Sequence, residues 1–136
     1  MTIRIFALLG LALLASFAWA AGVAERDGLL TDAGGRTLYV FDKDGGGKSS
    51  CNGGCANVWP PLGARPDDLK GDLSAINRDD GSRQLSYKGR PLYLYSGDSK
   101  PGDTHGDGQG GVWHAVRFGG KAAAPGKTPE YSMPSY

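Results

Sequence analysis

Two cysteines and a histidine are the side chains of this sequence best suited to bind a soft metal ion. Cys51 and Cys55 are separated by three residues, and His105 lies 54 residues after Cys51 in a second glycine-rich stretch. Thiolates and an imidazole would suit copper(I) or zinc. The same cysteine pair in an exported chain most simply forms one disulfide. We expect the disulfide, and the metal or redox site of Cys51, Cys55 and His105 remains the alternative.

Patterns for other chemistry are weak or absent. No G-x-S-x-G motif surrounds the serines, and no glycine-rich phosphate motif precedes a helix. Asp98, Asp103 and Asp107 do not have the spacing of an EF-hand calcium loop. The C-x-x-x-C spacing also differs from the C-x-x-C redox motif. We therefore assign no catalytic residues and no cofactor, and we do not expect an enzyme.

A stretch that occurs twice organises the rest of the chain. GRTLYVFDKD at 35–44 returns as GRPLYLYSGD at 89–98, and Val-Trp at 58–59 returns at 112–113, always 54 residues later. We expect the tyrosines to pack in the core and the aspartates to accept hydrogen bonds from the amides of the glycine-rich loops. The shared structural motif comprises Tyr39, Phe41, Asp44, Trp59, Tyr93, Tyr95, Asp98 and Trp113.

Short alternating segments predict the elements that position these residues. Residues 29–31 and 36–42 read as one hairpin, residues 83–87 and 90–95 as a second, and residues 112–118 as a strand. Residues 64–80 are expected to form a turn or a short helical piece. The fold class is therefore all-β. We predict a single small antiparallel β-domain over 21–118, a sandwich or small barrel, with pseudo-symmetric repeats at about 27–62 and 81–118 and long glycine-rich loops.

The two ends of the chain differ in composition from the repeats. Arg4, an apolar run over 5–14 and the sequence Ala18-Trp19-Ala20 predict a signal peptide over 1–20, cleaved near Ala20. Residues 119–136 are rich in Pro, Gly and Ala and are expected to form a disordered tail. The formal net charge of +1 does not favour nucleic acid or an anionic membrane as the partner.

The motifs resemble a known family. Residues 39–44 and 93–98 both fit Y-x-[FWY]-x-x-D, and residues 51–62 fit C-x-G-x-C-A-x-x-W-P-P-L. The chain resembles the bacterial family of secreted repeats and predicted lipoproteins named for the first of these motifs, whose function is unknown. The resemblance covers residues 27–118. It implies export and a duplicated β module, but no activity and no catalytic residues. Many members carry a lipid-attachment cysteine that this sequence lacks, so membrane anchoring is not implied here.

Together these observations predict an exported, periplasmic or secreted, non-catalytic binding or interaction module. The sequence identifies neither a ligand nor a partner. We expect no stable membrane insertion of the mature chain. The alternative function is a periplasmic protein that binds copper or zinc, or a redox protein, through Cys51, Cys55 and His105.

Overall fold

The computed structural model describes residues 22–118. The predicted signal peptide and the predicted tail lie outside these residues. The strands and the one α-helix, in chain order, are β1 (Val23–Arg26), β2 (Leu29–Asp32), β3 (Tyr39–Phe41), α1 (Gly54–Val58), β4 (Leu73–Asn77), β5 (Arg83–Tyr87), β6 (Arg90–Pro91) and β7 (Trp113–Ala115). Short 3₁₀ turns occupy Pro66–Asp68 and Gln109–Gly111.

The strands form three small antiparallel sheets, β1–β2, β3–β7 and β4–β5–β6. The ladder between β3 and β7 pairs Tyr39 with Ala115 and Phe41 with Trp113, so it joins the first repeat to the second. None of the sheets within residues 22–118 closes into a barrel. The prediction of an all-β domain built from two repeats is confirmed.

The two repeats meet at a pair of tyrosine backbones. The Tyr39 N–H donates to the Tyr93 carbonyl and the Tyr93 N–H donates to the Tyr39 carbonyl, each over 2.9 Å. Because these residues hold the same place in their repeats, the exchange marks a pseudo-two-fold axis. The β1–β2 hairpin of the first repeat corresponds to the β4–β5 hairpin of the second, since both are antiparallel pairs that precede the Tyr-containing segment.

Two apolar clusters make up the core of the described residues. The first contains the motif aromatic residues and lies where the repeats meet: Leu29, Tyr39, Phe41, Cys51, Trp59, Tyr93, Trp113 and Ala115. The second is aliphatic and packs between the hairpins: Leu30, Leu38, Val40, Leu85, Leu92 and Val116. Along β3, Tyr39 and Phe41 face the first cluster and Val40 the second, as a strand buried on both faces requires.

The second predicted hairpin forms between β5 and β6, although β6 covers only Arg90–Pro91 of the predicted 90–95. The first predicted hairpin, 29–31 with 36–42, is reduced to a bridge between Thr31 and Thr37, because β2 pairs with β1 and β3 pairs with β7.

The turns of the two hairpins that do form have a clear cause. Lys88 and Gly89 have φ of 49° and 79°, which matches the two-residue turn that suits the twist of antiparallel strands. Asp27 and Gly28 take the same conformation between β1 and β2. Because only glycine adopts positive φ without steric cost, each turn has Gly at its second position.

Three segments differ from the sequence-based expectation. Residues 23–26 form β1, although the first repeat was expected to begin at about residue 27, because β2 offers them a full antiparallel ladder. Within 64–80, where a turn or a short helical piece was expected, the 3₁₀ turn at Pro66–Asp68 is followed by β4 over 73–77, because pairing with β5 outweighs local propensity there. Helix α1 interrupts the first glycine-rich loop directly after Gly53, whose φ is 56°.

Candidate functional site

Each motif tyrosine is hydrogen-bonded to the aspartate of the other repeat. The Tyr39 hydroxyl donates to Asp98 Oδ2 and the Tyr93 hydroxyl donates to Asp44 Oδ2, both over 2.6 Å. All four side chains are buried. The Y-x-[FWY]-x-x-D motif therefore does not bond within itself but exchanges partners across the pseudo-two-fold axis.

The second oxygen of each aspartate holds a glycine-rich loop. Asp44 Oδ1 accepts the Ser50 N–H over 2.7 Å, and Asp98 Oδ1 accepts the His105 N–H over 2.9 Å. Each carboxylate thus joins the loop of its own repeat to the tyrosine of the other repeat. The backbone amides of the loops are the partners that the sequence suggested, whereas the tyrosine partners could not be read from the motif.

Burial changes the proton affinity of these groups. Burial raises the pKa of Asp44, although the Ser50 N–H, the Tyr93 hydroxyl and the charge of Arg78 act against the rise. Burial also raises the pKa of Tyr93 far above its usual value, and the Asp44 carboxylate adds to the effect. The pKa of Tyr39 is raised for the same reasons. The tyrosines therefore stay protonated and act as donors that join the repeats.

A stack of four aromatic rings runs across the repeat boundary. Trp59 and Trp113 lie 3.8 Å apart between ring centres and only 3° from parallel. Phe41 stacks on Trp113 at 4.1 Å, and Tyr95 stacks on Trp59 at 4.4 Å. Each Trp is thus covered by the other Trp on one face and, on the other, by the aromatic residue of the other repeat.

Glycine makes room for one end of this stack. A Cβ added at Gly106 would lie 2.7 Å from Trp59 Cη2 and 3.0 Å from Tyr95 Cγ, so the backbone passes directly against these rings. The Gly106 N–H donates to the Tyr39 hydroxyl over 3.3 Å. The second glycine-rich loop therefore packs on the aromatic residues because it lacks side chains at this point.

A shallow groove of about 240 Å³ opens beside the stack. Its lining contains no charged side chain and consists of Val58, Trp59, Tyr95, Gln109, Gly110, Val112 and Trp113. Val58 is 44% exposed, and no residue of α1 is buried. The indole N–H groups of Trp59 and Trp113 and the hydroxyl of Tyr95 have no hydrogen-bond partner within residues 22–118. None of these three atoms is fully enclosed by protein.

The repeat is also recognised by comparison with known families. The model of a secreted repeat of unknown function matches residues 22–63 and again residues 74–117, which together exceed half of the chain. The chain belongs to this secreted-repeat family. No curated protein and no solved structure matches the chain. In the part of the chain that the structure describes, no helix is long and apolar enough to span a bilayer.

In this secreted repeat, the two cysteines form a disulfide that fixes the start of α1. Cys51 and Cys55 are bonded, with their Cα atoms 5.2 Å apart. Arg78 holds the same loop, because its guanidinium donates to the Cys51 carbonyl over 2.6 Å and to Ser49 Oγ over 2.9 Å. Arg78 is only 6% exposed. The disulfide and the buried arginine together position the helix that carries Val58 into the groove.

The structure does not join His105 to a pair of thiolates, since both sulfur atoms are in the disulfide. His105 Nδ1 instead lies 3.6 Å from Asp98 Oδ1 and 3.9 Å from Asp103 Oδ2. These carboxylates already accept hydrogen bonds: Asp98 from Tyr39 and His105, Asp103 from Ser99 and Lys100. The metal-binding alternative would therefore require the reduced form of Cys51 and Cys55.

Sequence reasoning missed two functional features of this region. Arg78 lies outside both copies of the motif, and no pattern marks it. The groove residues Val58 and Val112 precede the two motif tryptophans, so the duplicated Val-Trp pair was the available signal. Gln109 and Gly110 lie in the second loop, where the repeats diverge, and nothing in the sequence indicated them.

Proposed function

We propose that this secreted repeat is an exported, non-catalytic binding module and that the groove beside the aromatic stack receives its ligand. The proposal is carried by the contrast in hydrogen bonding between the motif and the groove. The motif tyrosines and aspartates satisfy one another, whereas the indole N–H groups of Trp59 and Trp113 have no partner among residues 22–118. Because these donors are exposed to solvent and have no protein partner, they are available to an acceptor on a ligand.

The electrostatics of the groove limit the charge of the group that a ligand places there. Its lining is uncharged, and desolvating an ionic group there would not be offset by an opposite charge. We therefore expect an uncharged ligand group at this site. The near-balance of acidic and basic residues in the whole chain agrees with a partner other than nucleic acid.

A fragment screen read by the tryptophan side chains tests the proposal. The mature protein, labelled with ¹⁵N at its tryptophan indoles, is titrated with a library of neutral fragments. We expect binding fragments to shift the Trp59 and Trp113 indole signals saturably. Val58→Asp should weaken the binding of those fragments. Leu69→Asp is the matched control, because Leu69 is also exposed, at 37%, but does not line the groove. Fragments that bind elsewhere, or none that bind, would contradict the assignment.

Export is the second element of the proposal. It is supported by the family, which is a secreted repeat, and by the signal-peptide pattern that ends at Ala20. Expression of the full chain in a bacterium, followed by intact-mass measurement of the periplasmic and culture fractions, tests it. A product that begins at Ala21 is expected, and an uncleaved chain in the cytoplasm would argue against export.

A further inference from the structure

We infer that the pair Asn52 and Gly53 is a site of covalent modification, at which the side-chain amide of Asn52 is converted to a carboxylate without an enzyme. The backbone nitrogen of Gly53 attacks the side-chain carbonyl carbon of Asn52, and ammonia leaves. The sequence contains three asparagines, and only Asn52 is followed by glycine. The modification is independent of the proposed binding function.

The nucleophile is the amide nitrogen of Gly53, and the fold leaves this nitrogen accessible. Gly53 is exposed, and among residues 22–118 its N–H donates to no acceptor. Even a Cβ added at Gly53 would meet no atom within 4 Å, and glycine places no side chain beside the nitrogen. The N–H can therefore lose its proton to solvent base, which is the step that makes the nitrogen a nucleophile.

Two charged neighbours orient the Asn52 amide and polarise it. Its Oδ1 accepts a hydrogen bond from the Arg78 guanidinium over 3.3 Å, and its Nδ2 donates to Asp79 Oδ2 over 3.4 Å. Because a guanidinium only donates and a carboxylate only accepts, this orientation satisfies both neighbours. Negative charge develops on Oδ1 when the Gly53 nitrogen attacks. The positive charge of Arg78 lies beside that oxygen and stabilises the transition state.

Arg78 also favours the product, because it is a buried cation that bonds to no carboxylate within residues 22–118. It is 6% exposed, and its Nε has no hydrogen-bond partner among these residues. Its other donors go to neutral acceptors, which are Cys51 O, Ser49 Oγ, Gln84 Oε1 and Asn52 Oδ1. Burial of an unpaired charge is unfavourable, so a carboxylate at position 52 offers an ion pair that the amide does not. Asp79 loses its donor in this change, but its side chain is exposed to water.

The reaction balances with water as the only co-reactant. A bond forms between Gly53 N and Asn52 Cγ, the Cγ–Nδ2 bond breaks, and the amide proton of Gly53 leaves with the ammonia. The cyclic imide then takes up one water molecule. The ring reopens at Cγ to give aspartate, or at the main-chain carbonyl carbon to give isoaspartate. Either product has a carboxylate in place of the amide, so the chain gains a negative charge.

Ageing of the purified mature protein, with its disulfide intact, tests the inference. The protein is incubated at mildly alkaline pH, and peptide mapping by mass spectrometry follows each asparagine. We expect Asn52 to be converted about tenfold faster or more than Asn57, because the β-branched Val58 shields the nitrogen that would attack there. Asn77 is the second internal reference, since the N–H of Arg78, which follows it, already donates to Ser82.

A charge measurement checks the product directly. Anion-exchange chromatography should separate the aged protein as a more acidic species. Asn52→Gln keeps an amide but lengthens the side chain, so that the five-membered imide can no longer form, and the acidic species should be lost. An acidic species that persists in Asn52→Gln would come from another residue and would overturn the assignment to Asn52.

A comparison with the unfolded chain isolates the contribution of Arg78. The same incubation is made in urea with the disulfide intact, where Asn52 and Gly53 remain adjacent but Arg78 no longer lies beside the amide. We expect Asn52 to react faster in the native protein than in urea. An Asn52 rate no higher than that of Asn57 overturns the inference. A native rate equal to or below the rate in urea also overturns it, since the fold would then not promote the reaction.

Discussion

The exchange of hydrogen bonds between repeats predicts a specific pattern of energetic coupling. In the structure Tyr93 donates to Asp44 of the other repeat, while Tyr39, which shares a motif with Asp44, does not. We consider a double-mutant cycle of Tyr93→Phe and Asp44→Asn. A hydrogen bond to a charged group contributes about 1.5–3 kcal/mol, and the 2.6 Å distance is typical of the charge-assisted class. The coupling energy should fall in that range.

Urea denaturation at neutral pH, followed by tryptophan fluorescence, measures the free energy of unfolding of the four proteins in the cycle. Tyr93→Phe removes the hydroxyl donor, Asp44→Asn removes the charge on the acceptor, and neither adds bulk. A change of 1 kcal/mol in a domain of this size shifts the thermal midpoint by about 4–8 °C, so the effect is measurable by heating as well. The slope of unfolding free energy against urea should stay constant, since the surface exposed on unfolding is unchanged.

A second cycle within one motif is the control. Tyr39→Phe combined with Asp44→Asn should be additive to within about 0.5 kcal/mol, because the two side chains share no hydrogen bond. If this pair were coupled as strongly as Tyr93 with Asp44, the motif would bond within its own repeat. The cross-repeat arrangement would then be wrong.

Three further predictions follow from single residues. Burial raises the pKa of Asp44 in the folded state, so the contribution of Asp44 to stability grows as the pH falls. The unfolding free energy of wild type minus that of Asp44→Asn should therefore rise from pH 7 towards about pH 4. Gly106→Ala should lower the unfolding free energy in urea by about 1–3 kcal/mol, since its Cβ would lie 2.7 Å from a Trp59 atom in the stack. Gly45→Ala is the control and should cost little, because nothing lies within 4 Å of its Cβ position. Equal losses for the two variants would contradict this packing. Cys51 should show no free thiol in the denatured, unreduced protein, and metal analysis should find no stoichiometric copper or zinc; metal that is lost on Cys51→Ser would favour the metal-binding alternative.

The duplication made much of the fold predictable from sequence. The constant spacing identified which residues are equivalent, and the alternation around Tyr39 identified the buried strand β3. The matching alternation around Tyr93 gives only isolated bridges, to Tyr39 and Pro61. The β4 segment was harder, because Leu73 and Ile76 fit a helical period and only the partner strand β5 decides between the two structures. Propensity is local, whereas strand pairing depends on a partner that lies elsewhere in the chain.

The candidate site was less accessible to sequence reasoning. Each repeat contains a Tyr and an Asp, and the sequence cannot distinguish bonding within a copy from bonding between copies. That choice depends on the pseudo-two-fold axis, which brings the Tyr39 and Tyr93 backbones together. Arg78 was missed for a related reason, because its role is defined by the loop it reaches, at Ser49 and Cys51, and not by its neighbours in sequence.

The reciprocal bonds between Tyr39 and Asp98 and between Tyr93 and Asp44 have the form of an isologous dimer interface placed inside one chain. Two separate repeats would need to find each other in solution, and their stability would depend on protein concentration. Covalent fusion replaces that encounter with an effective concentration in the millimolar range. It also removes the requirement that both halves be identical. One loop can then carry a disulfide and the other a histidine, and a symmetric interface can support a single asymmetric groove.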